Sequence, residues 1–151
     1  MIASDRQGRS ASGARRIAFR FGLTGRRWGD TGPVVLMLHA GQWTPWLLAQ
    51  LVEPLVSAGR QVIALDDPTD ATSDDEARVA EYAAAATEAS VEIRNLESVI
   101  GYGFGAAAAA QALAQGLPAD RSVLLATGAA VRPDAILDSL LDRAARLRLA
   151  A

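Results

Sequence analysis

The sequence has no cysteine, no lysine and a single histidine, His39. Without cysteine there is no disulfide staple, no thiolate nucleophile and no zinc–thiolate centre. One imidazole cannot build a metal site that needs several. Aromatic residues make up only 5% of the chain, too few for the stacked platforms on which single-stranded nucleic acids lie. No apolar run approaches the roughly 20 residues that span a bilayer. The start, MIASDRQGRSASGARR, lacks the continuous apolar core of a secretory signal, so the expected compartment is the cytoplasm. All fifteen basic residues are arginine, which together with the Ala-rich stretches points to a GC-rich bacterial genome.

What is present is the make-up of a soluble globular domain: 50% hydrophobic residues, 21% charged, and a formal net charge of -2. At 151 residues one core is expected, burying roughly 70% of the surface the unfolded chain exposes. Residues 1–14, rich in Ser, Gly and Arg, read as a mobile arm, and residues 15–151 as a single domain. Charge is unevenly placed. Arg6, Arg9, Arg15, Arg16, Arg20, Arg26 and Arg27 precede Asp30, while Asp66, Asp67, Asp70, Asp74, Asp75 and Glu76 cluster later. Neither a recognition-helix pattern nor an aromatic platform accompanies the basic stretch, so no nucleic acid is the expected partner, and without a bilayer-length apolar run no membrane is either.

Ile17 to Phe21 alternates like a strand with one buried face, and the GLTG that follows, with RRWGD, predicts a hairpin. Pro33 to Leu38, Gln61 to Leu65, Leu96 to Ile100 and Ser122 to Ala126 read as buried strands. Helical spacing covers Trp46 to Ala58, with Leu47, Leu48, Leu51, Val52, Leu55 and Val56 on an apolar stripe and Pro54 expected to kink the helix or loosen one turn. Ser73 and Glu76 form a capping-box signature for a helix running to about Ala89. Further helices are expected over Phe104 to Gln115 and Pro133 to Leu149. Alternating strands and helices demand right-handed crossovers. The predicted fold is therefore a three-layer α/β sandwich, a mostly parallel sheet of about 5–6 strands with helices on both faces.

Where the third of these buried strands meets its helix, the sequence reads Gly101-Tyr102-Gly103-Phe104-Gly105-Ala106. As Gly101, Gly103 and Ala106 it fits G-x-G-x-x-G/A, the turn that lays a dinucleotide pyrophosphate on a helix N-terminus. That site also wants an acid at the end of the next strand, about 20 residues on. Here that strand ends Leu124-Leu125-Ala126-Thr127. As Gly101, Gly103 and Gly105 it is G-x-S-x-G, the strand-to-helix turn of a serine hydrolase, with glycine at the serine position.

Two more stretches bear on the choice: His39-Ala40-Gly41 after the first buried strand, and Asp66-Asp67-Pro68-Thr69-Asp70-Ala71-Thr72-Ser73 after the second. With the Gly101–Gly105 turn, they resemble in order the His-Gly, Asp-x-Pro-Gly-His-Gly-x-Ser and Gly-x-Ser-x-Gly signatures of the α/β-hydrolase family. The resemblance covers about residues 17 to 132. It implies the N-terminal part of an α/β-hydrolase fold and, in intact relatives, cleavage of carboxylic ester or amide bonds.

Each signature departs from the pattern. Ala40 replaces a glycine, Thr69-Asp70-Ala71 replaces Gly-His-Gly, and Gly103 occupies the nucleophile's place. Glycine has no atom that attacks a carbonyl. Ser98 lies back along the strand, and the Tyr102 side chain is expected to point elsewhere. The acid and histidine that the family carries after later strands have no counterpart; Asp134 reads as a first-turn carboxylate of the last helix. The expected protein is a truncated hydrolase-like pseudoenzyme with no intact catalytic residue.

What the resemblance leaves is an oxyanion hole made from backbone N–H groups of Gly41 and Phe104. His39, Gln42, Trp43 and Tyr102 are the candidate walls of a pocket for a small acyl, carboxylate or phosphate ligand. Trp46 is expected to pack on the first helix. No cofactor and no metal are expected. Asp66, Asp67 and Asp70 are hard oxygen ligands, with Asp66 and Asp70 the pair expected to approach one another, but loop and helix-start roles explain most of the acidic run. The strand over Ser122 to Ala126 is expected to be a sheet edge, covered by the last helix or paired in a homodimer. The alternatives are a hydrolase completed by a partner chain and a dinucleotide-binding oxidoreductase using Gly101, Gly103 and Ala106.

Overall fold

The short apolar runs pair with one another, because only a ladder satisfies their backbone groups in a dry interior. In the computed structural model, residues 13–39, 45–70, 72–126 and 131–141 are described. The strands are β1 (Arg15–Ala18), β2 (Thr24–Trp28), β3 (Val34–His39), β4 (Gln61–Leu65), β5 (Leu96–Tyr102) and β6 (Arg121–Leu125). They form one six-stranded sheet in the order β1-β2-β4-β3-β5-β6. β1 and β2 make an antiparallel hairpin, β2 runs antiparallel to β4, and β4, β3, β5 and β6 are mutually parallel. The helices are α1 (Pro45–Ser57), α2 (Asp75–Val91), α3 (Phe104–Ala114) and α4 (Pro133–Leu141).

Handedness sets the layers. From β3 the chain steps one way to β4 and later the other way to β5 and β6, so right-handed crossovers put α1 on one face and α2 and α3 on the other. On the first face Leu51, Val52 and Leu55 of α1 meet Val35, Met37, Val62 and Ile100. On the second, Tyr82, Ala86 and Ala89 of α2 and Ala108, Ala109 and Ala112 of α3 meet Leu36, Leu38, Ile63 and Val99. Alanine here lets the two helices lie close to each other and to the sheet. β3 is central, with all its residues buried. The expected three-layer sandwich is the observed one.

α4 takes the α1 face, where Ile136, Leu137, Leu140 and Leu141 pack in one cluster with Met37, Val123 and Leu125. A right-handed crossover to a parallel strand on the outer edge of β6 would carry its helix over the α2–α3 face. α4 instead folds back over the sheet beside that edge. Among the described residues β6 is the outermost strand, with Leu124 exposed at 43%.

Three local expectations are corrected. The hairpin turns earlier than its alternation suggested: β1 ends at Ala18, and Arg20–Gly22 form a tight turn in which Phe21 takes φ 62 and is 81% exposed. The register of β2 on β4, with Gly25 opposite Leu65, fixes where that turn falls. Asp74, not Ser73, caps α2, its carboxylate accepting from the Ala77 N–H at 2.7 Å. α1 runs on through Pro54 to Ser57, with Pro54 having no N–H to give the helix. Val56, placed in the apolar stripe of α1, is exposed. Of the arm expected over residues 1–14, residues 1–12 lie outside the described residues, as does the continuation of the last helix beyond 141, while Ala14 is buried in the core just ahead of β1.

Candidate functional site at the β5–α3 elbow

A parallel strand that runs straight into a helix must reverse direction within one residue, and Gly103 is that residue. It takes φ 58 and ψ -121, a conformation that glycine adopts without a Cβ penalty. Its N–H donates to the Leu125 carbonyl at 2.7 Å, and its carbonyl accepts from the Ala106 N–H at 3.0 Å. Both flanking glycines are close-approach positions. A Cβ on Gly101 would lie 2.5 Å from the Gly105 carbonyl oxygen, and one on Gly105 would strike the Leu38 carbonyl. The structure therefore uses the spacing Gly101, Gly103, Gly105: the first and last seat helix against strands, and the middle one turns the chain.

At this turn the first N–H groups of α3 lack carbonyl partners within the helix and carry the positive end of its dipole. Phe104 supplies the foremost of them. His39 ends β3 and Tyr102 ends β5, and the two are direct partners in the parallel register. His39 is buried and Tyr102 half-buried, packing against the α1–α4 cluster. The structure thus brings Gly103, Phe104, His39 and Tyr102 to one end of the two central strands. Gly41, Gln42 and Trp43 lie outside the described residues, as does the side chain of Trp46.

Among the described residues no serine, threonine or cysteine stands at the turn itself. Ser98 is fully buried farther down β5, and its Oγ has no hydrogen-bond partner among the described residues. Asp134 lies in the first turn of α4, exposed and 3.9 Å from Arg132, as a helix-dipole carboxylate would.

Sequence reasoning missed the support beneath the elbow. The Tyr82 hydroxyl of α2 donates to the Leu65 carbonyl at 2.6 Å and accepts from the His39 N–H at 3.3 Å, joining the ends of β3 and β4. Burial drives this hydroxyl well above the ordinary phenol range; the bond from the His39 N–H pulls the other way, and the nearby Asp67 and Asp66 charges add to the rise. The Tyr82 ring stacks on Phe104 with centroids 6.1 Å apart, and the Arg78 guanidinium lies 4.6 Å over the other partner of that stack. Arg78 in turn holds Asp67 at 3.1 Å and the Thr69 hydroxyl at 3.1 Å. A chain of contacts therefore runs from the β4–α2 loop to the first residue of α3. The visible signal was Arg78, a lone cation opening an acidic helix, four residues before Tyr82 on one helical face.

The acidic loop, too, has local partners for its carboxylates. Asp66 accepts from the Thr24 hydroxyl at 2.7 Å, Asp67 turns to Thr69 and Arg78, and Asp70 accepts from the Thr72 N–H at 2.9 Å. The bond from the Thr72 backbone holds the Asp70 carboxyl below its usual value. The pairing expected between Asp66 and Asp70 is replaced by separate local partners. Among the described residues no cluster of His, Asp and Glu is arranged to hold a metal ion.

Solved structures share this architecture. A thioesterase domain from the curacin biosynthetic pathway matches with a TM-score of 0.54 and 18% identity over 76% of this chain and 44% of its own. The chain carries an α/β-hydrolase fold. A cold-adapted esterase from an Arctic intertidal metagenomic library matches with a TM-score of 0.54 and 18% identity, covering 76% of this chain and 61% of that one. The dienelactone hydrolase of Anabaena variabilis matches with a TM-score of 0.54 and 16% identity, covering 72% and 62%. The chain spans 44% to 62% of the length of these α/β-hydrolase structures. No family model matches the sequence, and no curated protein is recognisably similar to it. Among the described residues no helix is long and apolar enough to cross a membrane.

Proposed function

We propose that this chain is an α/β-hydrolase-fold protein that binds a small acyl, carboxylate or phosphate ligand at the elbow and does not cleave it. The observation that carries the reading is Gly103, which turns the strand into the helix at φ 58 and brings no side-chain oxygen. Acyl transfer needs a nucleophile at that point, and none is there. Backbone donors do not depend on the serine. The Phe104 N–H, with that of Gly41, would still face an oxyanion or the oxygen of a bound carboxylate.

Two measurements test this. The purified chain is expected to hydrolyse p-nitrophenyl acetate no faster than buffer. Titration of the isotope-labelled protein with butyrate, and separately with inorganic phosphate, is expected to move the Phe104 amide resonance saturably with at least one of them. Turnover at rates ordinary for an esterase, or a Phe104 amide that ignores both anions, overturns the proposal.

A second reading has one observation in its favour: β6 is an outermost strand with Leu124 exposed, and a partner polypeptide seated there would complete the sheet of a hydrolase. Under it, the chain alone sediments as a dimer or captures ester-cleaving activity only with its partner present. A concentration-independent monomer in light scattering removes the homodimeric form. The dinucleotide reading is tested by thermal shift with NAD and NADP, where no stabilisation is expected.

A further inference from the structure

The hairpin β1–β2 sets arginine opposite arginine twice, Arg15 against Arg27 and Arg16 against Arg26. Like charges directly opposed across a ladder are unfavourable. Between residues 13 and 29 there are five arginines and no acid. Among the described residues only Arg15 of these five has its guanidinium paired with a carboxylate, Asp30 at 2.6 Å. Arg26 lies over the Trp28 ring at 5.4 Å, and the Nε of Arg27 is buried without a hydrogen bond.

The tip of the hairpin has a second oddity. Phe21 stands at φ 62 with its side chain 81% exposed, where asparagine or glycine would be conformationally easier. The Arg20 N–H donates to the Glu92 carboxylate at 2.9 Å, so the tip rests on the C-terminal end of α2. Val91, next to Glu92, is also 81% exposed. This corner therefore presents two bare apolar side chains and the Glu92 carboxylate engaged by a backbone N–H; Arg20 next to Phe21, Arg16 on the same hairpin and Arg94 three residues after Val91 are all exposed.

We infer that this corner docks the protein onto an anionic lipid surface, Phe21 entering the headgroup region and the hairpin arginines lying against lipid phosphates. Apolar tips framed by arginine suit an interface whose potential is negative and whose interior is apolar. A single-stranded nucleic acid fits less well, because it wants several aromatic faces, and the other aromatics of the hairpin are turned inward: Trp28 is 1% exposed and Phe19 packs against the core. The expectation of no membrane partner rested on the lack of a bilayer-length apolar run, which bears on spanning a membrane and not on resting at its surface with Phe21 exposed.

Flotation of the full chain with vesicles tests this, comparing neutral phosphatidylcholine with vesicles carrying about 30% phosphatidylserine at low salt. Binding is expected to the anionic vesicles only and to fall as salt rises. Phe21→Asn suits the left-handed backbone, so it is expected to melt no lower than the parent while binding about tenfold more weakly. Arg16→Ser with Arg20→Ser is expected to weaken binding similarly. No flotation with anionic vesicles, or flotation that both variants leave intact, overturns the inference. So does a short single-stranded oligonucleotide that binds more tightly than the vesicles and displaces them.

Discussion

The Gly103 amide donates to the carbonyl of Leu125 at 2.7 Å, tying the elbow to the neighbouring strand β6. The β5–β6 ladder thereby continues past the Tyr102–Leu125 pair into the turn itself. The left-handed residue is thus held between a sheet on one side and the first turn of α3 on the other.

A serine placed at Gly103, where the hydrolase signature carries one, is expected to harm the turn rather than confer chemistry. A side chain at φ 58 and ψ -121 costs about 1–3 kcal/mol. Each kcal/mol lowers Tm by roughly 2–4 °C in a domain of this size. Gly103→Ser should therefore melt earlier and still leave p-nitrophenyl acetate untouched. Brisk hydrolysis by this variant would mean that an acid and an imidazole are in reach after all.

Gly105→Ala is expected to be worse than any change at Gly103, since its Cβ would run into the rigid backbone of Leu38 and His39. Overpacking of this kind costs about 1–3 kcal/mol where neighbours yield and more where they cannot. Gly116→Ala provides the comparison: φ 105, with nothing within 4 Å of the added carbon. Urea denaturation of both variants should show the larger loss at 105, and equal losses would contradict the close seating of α3 on β3.

Tyr82→Phe removes a hydroxyl that serves two buried backbone groups, the Leu65 carbonyl and the His39 N–H. The expected loss is about 1–3 kcal/mol at neutral pH. The hydroxyl also gives a pH signature. Its folded pKa is raised above the unfolded value of about 10, so below pH 10 both states keep the proton and stability is flat. Above that, the unfolded state loses the proton first and stability falls. Denaturation midpoints between pH 9 and pH 11 (roughly the window around the unfolded value) should decline less steeply in the phenylalanine variant.

The cap of α2 separates two residues that sequence alone does not. Asp74→Ala should cost about 1 kcal/mol, and Ser73→Ala a few tenths at most. The reverse order in thermal melts would return the cap to Ser73.

Strands and helices were legible wherever a residue's neighbours in sequence decide its surroundings. The run from Val34 to Leu38 has no polar interruption, and a strand without one is buried on both faces. The glycine spacing at the elbow was legible too, because turns restrict residue type locally. Phe21 was misplaced because alternation persists through it, while the turn is set by how Gly25 aligns with Leu65. Ser73 was misplaced because Asp74 is as good a cap one residue along. Loop and helix-start roles for the acidic run were legible as a class, but which partner each carboxylate takes, Thr24, Arg78 or Thr72, was not.

Two things follow from the sequence unaided: an alternating α/β chain must make a parallel sheet covered on both faces, and a glycine at the elbow cannot attack a carbonyl. Periodicity and the absence of a side chain are local facts, and no packing alters them. Tertiary structure alone decided that Tyr82, Phe104 and Arg78 brace the elbow, that α4 folds back beside β6, and that Phe21 faces water. Each of these depends on register and helix packing between distant segments, and such contacts leave no period for a linear reading to find.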